Sequence, residues 1–144
     1  MKEAIKEAQK SLAVDEVPVG CVIVQDDKVI ARAHNLREST NDPCGHAEIL
    51  AIKKASKKLN SWRLNNCDIY ITVEPCIMCM GAIIQSRIKT VIYGAKDYKG
   101  GALGSSINVM SAKGINHHPE IIEGILEEQC SSIISHYFKN KRQK

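Results

Sequence analysis

The spacing of hydrophobic and polar residues changes several times along the chain. Each change predicts the end of one secondary-structure element and the start of another. Apolar residues three and four apart, such as Ala4, Ile5 and Ala8, are typical of a helix that packs one face on a core. Runs rich in Ile, Val, Thr and Tyr are typical of strands. The predicted helices cover residues 2–13, 46–59, 75–86 and 126–139, and the predicted strands cover residues 21–24, 28–33, 68–73, 90–93 and 120–122.

The order of these elements, αββαβαβ(β)α, predicts an α/β fold with helices on both faces of a sheet. Asp26 and Asp27 form a turn that makes the first two strands an antiparallel hairpin. We find no linker, repeat or low-complexity segment, so we expect one domain, residues 1–144, around one core. Residues 94–118 are rich in Gly and Ser and predict a long loop with at most one helical turn, and such loops are often functional.

Composition excludes few classes of protein. Hydrophobic residues make up 44% and charged residues 25% of the chain, which is ordinary for a globular protein. No apolar run approaches the ~18 residues that a membrane span needs. The first seven residues alternate in charge and lack the apolar centre of a signal peptide. We therefore expect a cytoplasmic protein with no membrane partner.

Charge and cysteines add two expectations. The net charge of +4 permits nucleic-acid binding without indicating it. Basic residues crowd the C-terminus beside Tyr137 and Phe138, where they would either contact RNA or form an exposed helix end. Six cysteines in a cytoplasmic chain are expected to be free thiols plus one metal site. Cys21, Cys67 and Cys130 are expected to be small buried apolar residues.

The strongest chemical signal is His46-Ala47-Glu48 followed by Pro75-Cys76-Ile77-Met78-Cys79. A structural zinc site usually needs four protein ligands, and the chain has no second Cys-x-x-Cys pair to complete one. Redox chemistry at a Cys-x-x-Cys pair needs no His-x-Glu upstream. Three ligands, His46, Cys76 and Cys79, are the count of a catalytic zinc that keeps one open position. Both motifs begin a predicted helix, whose dipole favours thiolates.

Glu48 supplies the proton chemistry that such a site needs. Zinc lowers the pKa of a bound water from ~15.7 to about 7. Acting as a base, Glu48 would take a proton from that water, and the resulting hydroxide would attack C6 of adenine or C4 of cytosine. Glu48 would then protonate the departing ammonia. His-x-Glu and Pro-Cys-x-x-Cys together are the signature of zinc-dependent nucleobase deaminases of the cytidine-deaminase-like superfamily.

Beyond these motifs, the chain resembles the bacterial tRNA-specific adenosine deaminases over nearly its whole length. The resemblance implies a three-layer α/β/α fold with a mixed sheet of about five strands, a homodimer and one Zn²⁺ per chain. It implies that the substrate is a tRNA anticodon stem-loop, in which the wobble adenosine becomes inosine. The runs that carry it include Glu16-Val17-Pro18-Val19-Gly20, Asn41-Asp42-Pro43, Trp62-Arg63-Leu64, Gln85-Ser86-Arg87-Ile88, Tyr93-Gly94-Ala95-Lys96-Asp97 and Asn116-His117.

By motif match, His46, Cys76 and Cys79 would bind zinc and Glu48 would shuttle protons. Two further matches concern the nucleotide. Asn35 matches an asparagine that contacts the target nucleotide, and Asp97 matches an aspartate beside the sugar and strand of that nucleotide. Each has a simpler alternative, because Asn35 would also cap a turn and Asp97 would also serve as a turn residue. The resemblance favours RNA contact for the segment Tyr137-Phe138-Lys139, because a flipped base needs contacts outside the zinc pocket.

Several alternatives stay open at this level. Cys44-Gly45 stands where the family usually has Thr-Ala, so Cys44 is either a small bystander near the pocket, a zinc contact or an oxidisable thiol, and Gly45 loosens the backbone. This departure leaves open the deamination of a free base or nucleoside, such as guanine or cytosine. A non-catalytic zinc-stabilised RNA-binding module has no use for Glu48. Apolar residues of helix 77–86 would pack against either a partner or the sheet: Met78, Met80, Ala82, Ile83 and Ile84.

Overall fold

The structure is a computed structural model that describes residues 1–143. Within these residues, four helices and five strands follow the predicted order, with one 3-10 turn at Val109–Ser111. The helices are α1 (Lys2–Ala13), α2 (Ala47–Leu59), α3 (Ile77–Gln85) and α4 (Glu127–Arg142), and the strands are β1 (Gly20–Gln25), β2 (Lys28–His34), β3 (Cys67–Val73), β4 (Thr90–Ala95) and β5 (Glu120–Ile122).

The five strands form one mixed sheet in the order β2-β1-β3-β4-β5. Strand β1 is antiparallel to both β2 and β3, whereas β3, β4 and β5 are parallel. Helices α1 and α4 pack together on one face, and α2 and α3 pack together on the other. The predicted α/β fold, with a mixed five-stranded sheet and helices on both faces, is confirmed. No helix within residues 1–143 is long and apolar enough to cross a membrane.

Most of the core lies between the sheet and the layer of α2 and α3, where alternate strand residues such as Ile69 and Ile71 are fully buried. On the opposite face, α1 lies very close to the sheet at Gly20, which has no side chain. A Cβ atom on Gly20 would lie 1.9 Å from the carbonyl oxygen of Ala4 in α1. The cysteines predicted to be apolar core residues are buried, as expected: Cys21, Cys67 and Cys130.

Both motif helices begin later than predicted. Cys76, with φ −77° and ψ 176°, and His46, with φ −80° and ψ 146°, are extended residues that precede α3 and α2. Pro75 therefore lies outside the helix that it was predicted to open. The carbonyl oxygens of Cys76 and His46 still accept the first helical bonds, from Met80 at 2.9 Å and Leu50 at 3.1 Å. The extended conformation turns the two side chains away from the helical path, toward one another.

Candidate active site

Three atoms that could hold a metal ion come together from His46 and Cys76, which precede α2 and α3, and from Cys79, in the first turn of α3. The Nδ1 atom of His46 lies 3.6 Å from the sulfur of Cys76 and 3.5 Å from the sulfur of Cys79. All three atoms lie within 4.8 Å of one another. A tetrahedral zinc with bonds of about 2.0 Å to nitrogen and about 2.3 Å to sulfur would separate these donors by about 3.5 Å. The observed distances therefore fit zinc.

Hydrogen bonding within the group favours a thiolate. The pKa of Cys76 is lowered to about 4, because the thiol of Cys79 donates a hydrogen bond to it and the imidazole of His46 adds a second, against the opposing effect of burial. The same contact raises the pKa of Cys79. The contact with Cys76 also raises the pKa of His46. Two sulfurs and one imidazole nitrogen form a donor set that suits zinc.

Glu48 lies at the second position of α2 and is 4% exposed. Burial raises the pKa of its carboxyl group, which also contacts the sulfur of Cys79. A buried carboxylate is more basic than an exposed one, so it suits a group that accepts a proton and returns it. Because His46 is extended rather than helical, residues two apart in sequence share one site.

Asn35 holds the start of α2. Its side-chain oxygen accepts a hydrogen bond of 2.9 Å from the backbone N–H of Ala47. The simpler alternative predicted that Asn35 caps a turn, whereas the observed hydrogen bond caps the start of a helix. Because the oxygen is committed to Ala47, the NH₂ group is the part of Asn35 that can donate to a ligand.

Asp97 forms the turn that the simpler alternative predicted. Its Oδ1 atom accepts hydrogen bonds from the backbone N–H groups of Lys99 at 3.0 Å and Gly100 at 3.2 Å. Asp97 also lines the same cavity as His46. The turn and a nucleotide contact are therefore compatible, because a carboxylate has two oxygens.

One cavity of ≈ 400 Å³ is lined by five of the six predicted site residues and falls within the usual size range of small-molecule sites. The sixth, Cys79, is completely buried and does not line the cavity. The loops around the cavity depend on buried carboxylates that the sequence did not single out, such as Glu16, which accepts hydrogen bonds from the N–H groups of Glu38 at 2.9 Å and Ser39 at 2.6 Å. The lining residues are Asn35, His46, Glu48, Cys76 and Asp97, with Glu16, Val17, Val19, Arg37, Glu38, Val73, Glu74 and Phe138.

A second cavity of ≈ 600 Å³ adjoins the first and shares Phe138 and Asp97 with it. Its lining includes the cations Lys96, Lys99 and Arg142. We call the two adjoining cavities the cleft.

The C-terminal segment divides between two surfaces. Phe138 lines the cleft. Tyr137 instead lines a separate cavity beside the end of α1, where Lys141 forms an ion pair of 2.7 Å with Asp15. Only part of the basic and aromatic segment is therefore available to a ligand in the cleft.

Cys44 lies outside the site. Its side chain is exposed, it does not line the cavity, and within residues 1–143 the three-donor group contains only His46, Cys76 and Cys79. The neighbouring loop is closely packed at Gly45, where an added Cβ atom would lie 3.1 Å from the backbone of Arg37. The expected position of Cys44 near the pocket is therefore not observed.

Comparison with known proteins agrees with this geometry. The family model described as MafB19-like deaminase matches residues 1–142. A tRNA-specific adenosine deaminase of Bacillus subtilis is 46% identical over 100% of this chain and 89% of its own length. The chain belongs to the bacterial tRNA-specific adenosine deaminase family.

Solved structures related to the family agree. A tRNA:A34 deaminase, studied for A-to-I editing at the wobble position, has a TM-score of 0.90 and 41% identity, with 92% of this chain and 96% of that chain covered. A guanine deaminase of Bacillus subtilis has a TM-score of 0.64 and 30% identity, with 99% and 91% covered. The tRNA deaminase resembles this chain more closely in both fold and sequence.

Proposed function

We propose that this protein catalyses the hydrolytic deamination of adenosine at the wobble position of a tRNA anticodon. Water replaces the exocyclic amino group at C6, which gives inosine and ammonia. One zinc ion per chain would be held by His46, Cys76 and Cys79. The observation that carries the proposal is the convergence of these three donors beside a cavity that His46, Cys76 and the buried carboxylate of Glu48 line, in a member of this family.

Zinc, when bound, supplies a Lewis acid that lowers the pKa of a water molecule to about 7. The carboxylate of Glu48 takes one proton from the attacking water and delivers it to N1 of the adenine ring. It then moves the second proton to the departing amino group, which leaves as ammonia. The burial of Glu48 excludes bulk water and keeps the carboxylate basic enough for both transfers.

The walls of the cavity would orient the nucleotide. The NH₂ group of Asn35 donates to an acceptor atom of the target nucleotide, while the oxygen of Asn35 stays on Ala47. Asp97 accepts from a ribose hydroxyl with the oxygen that the turn does not use. A contact to the 2′-hydroxyl would discriminate RNA from DNA.

The cleft supports an RNA substrate over a free base. Lys96, Lys99 and Arg142 can neutralise phosphates, and Phe138 can stack on a base beside the cavity. A free guanine or cytosine would fill only the smaller cavity. It would leave the larger cavity, which Lys96, Lys99 and Arg142 line, without a ligand. Guanine deamination remains the second candidate, because a guanine deaminase shares 30% identity with this chain.

We further propose that the protein is a cytoplasmic homodimer. The location follows from the proposed substrate. Met80, Ile83 and Ile84 pack into the core of their own chain, so they do not favour a partner. The apolar surface that remains on and near α3 includes Ile77, which is 61% exposed, and Trp62, which is 57% exposed. Sedimentation of the protein with the mass of one chain would contradict the dimer.

Ammonia release tests the proposed substrate. Zinc-loaded protein is incubated with an anticodon stem-loop that carries adenosine at the wobble position and, separately, with free adenine, guanine and cytosine. We expect turnover on the stem-loop alone. Turnover on a free base alone would keep the zinc chemistry but overturn the RNA substrate.

A further inference from the structure

Glu74 is a buried carboxylate to which the proposed reaction assigns no role. It is 3% exposed and lies between the end of β3 and Pro75, two residues before Cys76. Within residues 1–143, no Lys, Arg or His forms an ion pair with it. A buried carboxylate is costly unless hydrogen bonds satisfy it, so its contacts indicate what it does.

Among the described residues, every hydrogen-bond donor to this carboxylate comes from one loop. The backbone N–H groups of Asp97 at 3.3 Å, Leu103 at 2.9 Å and Ser105 at 3.2 Å all donate to Glu74. The hydroxyl group of Ser105 is a fourth donor. Hydrogen bonds to a charged acceptor are stronger than neutral ones, so a single side chain gathers residues 97–105.

The loop is packed directly onto the carboxylate. A Cβ atom on Gly101 would lie 2.5 Å from both the Glu74 carboxylate and the carbonyl oxygen of Asp97. Only glycine therefore allows this approach. The N–H of Ala102 also donates to the carbonyl oxygen of Pro75 at 2.9 Å, so the loop is joined to the residue that directly precedes Cys76.

We propose that Glu74 is a positioning residue that fixes Asp97 relative to the three-donor group. It acts through the loop of residues 97–105, whose first residue lines the cavity on which Cys76 also lies. The inference rests on the proposed function, because it assumes that Asp97 contacts the substrate. Its basis in the fold is the convergence of four loop donors on one buried carboxylate.

Hydrogen exchange tests the positioning without any substrate. In Glu74→Gln, the amide group keeps one acceptor oxygen and presents N–H atoms where the other oxygen stood, so at least one loop N–H group loses its partner. The Oε1 atom of Glu74 accepts from Asp97, and Oε2 accepts from both Leu103 and Ser105. In zinc-loaded protein, we expect about tenfold faster exchange at Asp97 if the retained oxygen replaces Oε2, and at Leu103 and Ser105 if it replaces Oε1, since each lost bond is worth roughly that factor. Unchanged exchange in residues 97–105 would overturn the proposal. The control, Glu120→Gln on the exposed edge strand, should exchange as wild type.

A double-mutant cycle tests whether Glu74 acts through Asp97. Glu74→Gln and Asp97→Asn should each lower kcat/KM on the stem-loop, by about tenfold to a hundredfold for a misplaced contact. The double variant should have a kcat/KM no lower than that of the less active single variant. All three variants should contain one zinc per chain. Multiplied losses would show that Glu74 acts independently of Asp97 and would overturn the proposal.

Ser105→Ala keeps the proposal testable if Glu74→Gln does not fold. It removes only the hydroxyl donor, so it should speed exchange in the same loop to a smaller extent, and no change would count against the proposal. Failure of the proposed function is distinguishable from failure here. If wild type deaminates only a free base, the wobble substrate is wrong, whereas the exchange result still decides whether Glu74 holds the loop.

Discussion

Asn35 divides its two polar atoms between the fold and the cavity. Its oxygen caps α2 through the N–H of Ala47, and we propose that its NH₂ group donates to the nucleotide. Asn35→Asp keeps the acceptor and removes the donor, whereas Asn35→Ala removes both. We expect both variants to lose about tenfold in kcat/KM, because one hydrogen bond is lost.

Stability separates the two variants. Asn35→Ala should lower the free energy of unfolding by about 1 kcal/mol, the usual cost of a lost helix cap. Asn35→Asp should retain the stability of wild type, because the acceptor remains. Denaturant unfolding and steady-state kinetics on the same preparations measure both effects. An Asn35→Asp variant with full activity would show that the NH₂ group is not used.

Glu16 makes part of the stability depend on pH. Burial acts to raise the pKa of its carboxyl group, but the N–H groups of Glu38 and Ser39 outweigh burial and lower it. The folded pKa lies below the unfolded value, so the stabilisation is present above the unfolded pKa and is lost as the pH falls through the folded pKa. Glu16→Gln should therefore be less stable than wild type at neutral pH, with a smaller loss of stability in acid.

The measurement for Glu16 is denaturant unfolding between neutral pH and pH about 3, which spans the titration of carboxyl groups. Glu120→Gln, at an exposed position of β5, is the matched control and should follow the wild-type curve. Equal acid sensitivity in Glu16→Gln and wild type would contradict this account of the carboxylate.

At the scale of elements, α4 presents two neighbouring aromatic residues to different surfaces. Phe138 lines the cleft, whereas Tyr137 packs near the end of α1. Phe138→Ala should raise KM for the stem-loop by about tenfold or more, because a stacked base contributes ~1–3 kcal/mol. Tyr137→Ala is the control and should raise KM much less, because the ring of Tyr137 contacts Phe138, with the ring centroids 5.3 Å apart, but lines a different cavity. Equal effects of the two substitutions would show that stacking in the cleft is not the cause.

The periodicity of the chain was enough to predict most elements, but not where the motif helices begin. Apolar runs such as residues 68–73 could be assigned because their side chains pack on both faces of a central strand. Pro75 favoured a helix start at its own position, yet Cys76 remains extended. Cys76 contacts His46, which is distant in sequence, and local preference cannot reveal such a contact.

The residues of the two motifs could be predicted from the sequence, but the carboxylates that hold the surrounding loops could not. His46, Glu48, Cys76 and Cys79 could be named because zinc chemistry restricts both residue type and spacing. The structural roles of Glu16 and Glu74 could not be predicted, because the sequence gives no sign that a single glutamate is buried. Their importance comes from backbone N–H groups that only the folded loops bring to them.

At the scale of the whole molecule, the positions of the cations are more informative than the net charge of +4. Lys96, Lys99 and Arg142 line the cleft. Replacing all three by Ala should make the slope of log(kcat/KM) against log salt shallower by about 2. Each phosphate contact on a single strand contributes ~0.7 to that slope.

A matched triple variant controls for the loss of charge. Lys53, Lys57 and Lys58 are exposed on α2 and line no part of the cleft. Their replacement by Ala changes the net charge equally and should leave the salt slope of the stem-loop reaction unchanged. A slope that falls equally in both variants would indicate general attraction to RNA rather than a defined path through the cleft.

Mapping the position of inosine in RNA is the sharpest test of deamination at the wobble adenosine. A tRNA with adenosine at the wobble position is incubated with zinc-loaded wild type or Glu48→Gln, and inosine is mapped by mass spectrometry of the digested RNA. We expect inosine at the wobble position with wild type. In Glu48→Gln, we expect a loss of rate of ~10²–10⁴-fold with one zinc per chain retained, since general acid–base catalysis contributes that much. Absence of inosine with zinc-loaded wild type, or full activity in Glu48→Gln, would contradict the proposed function.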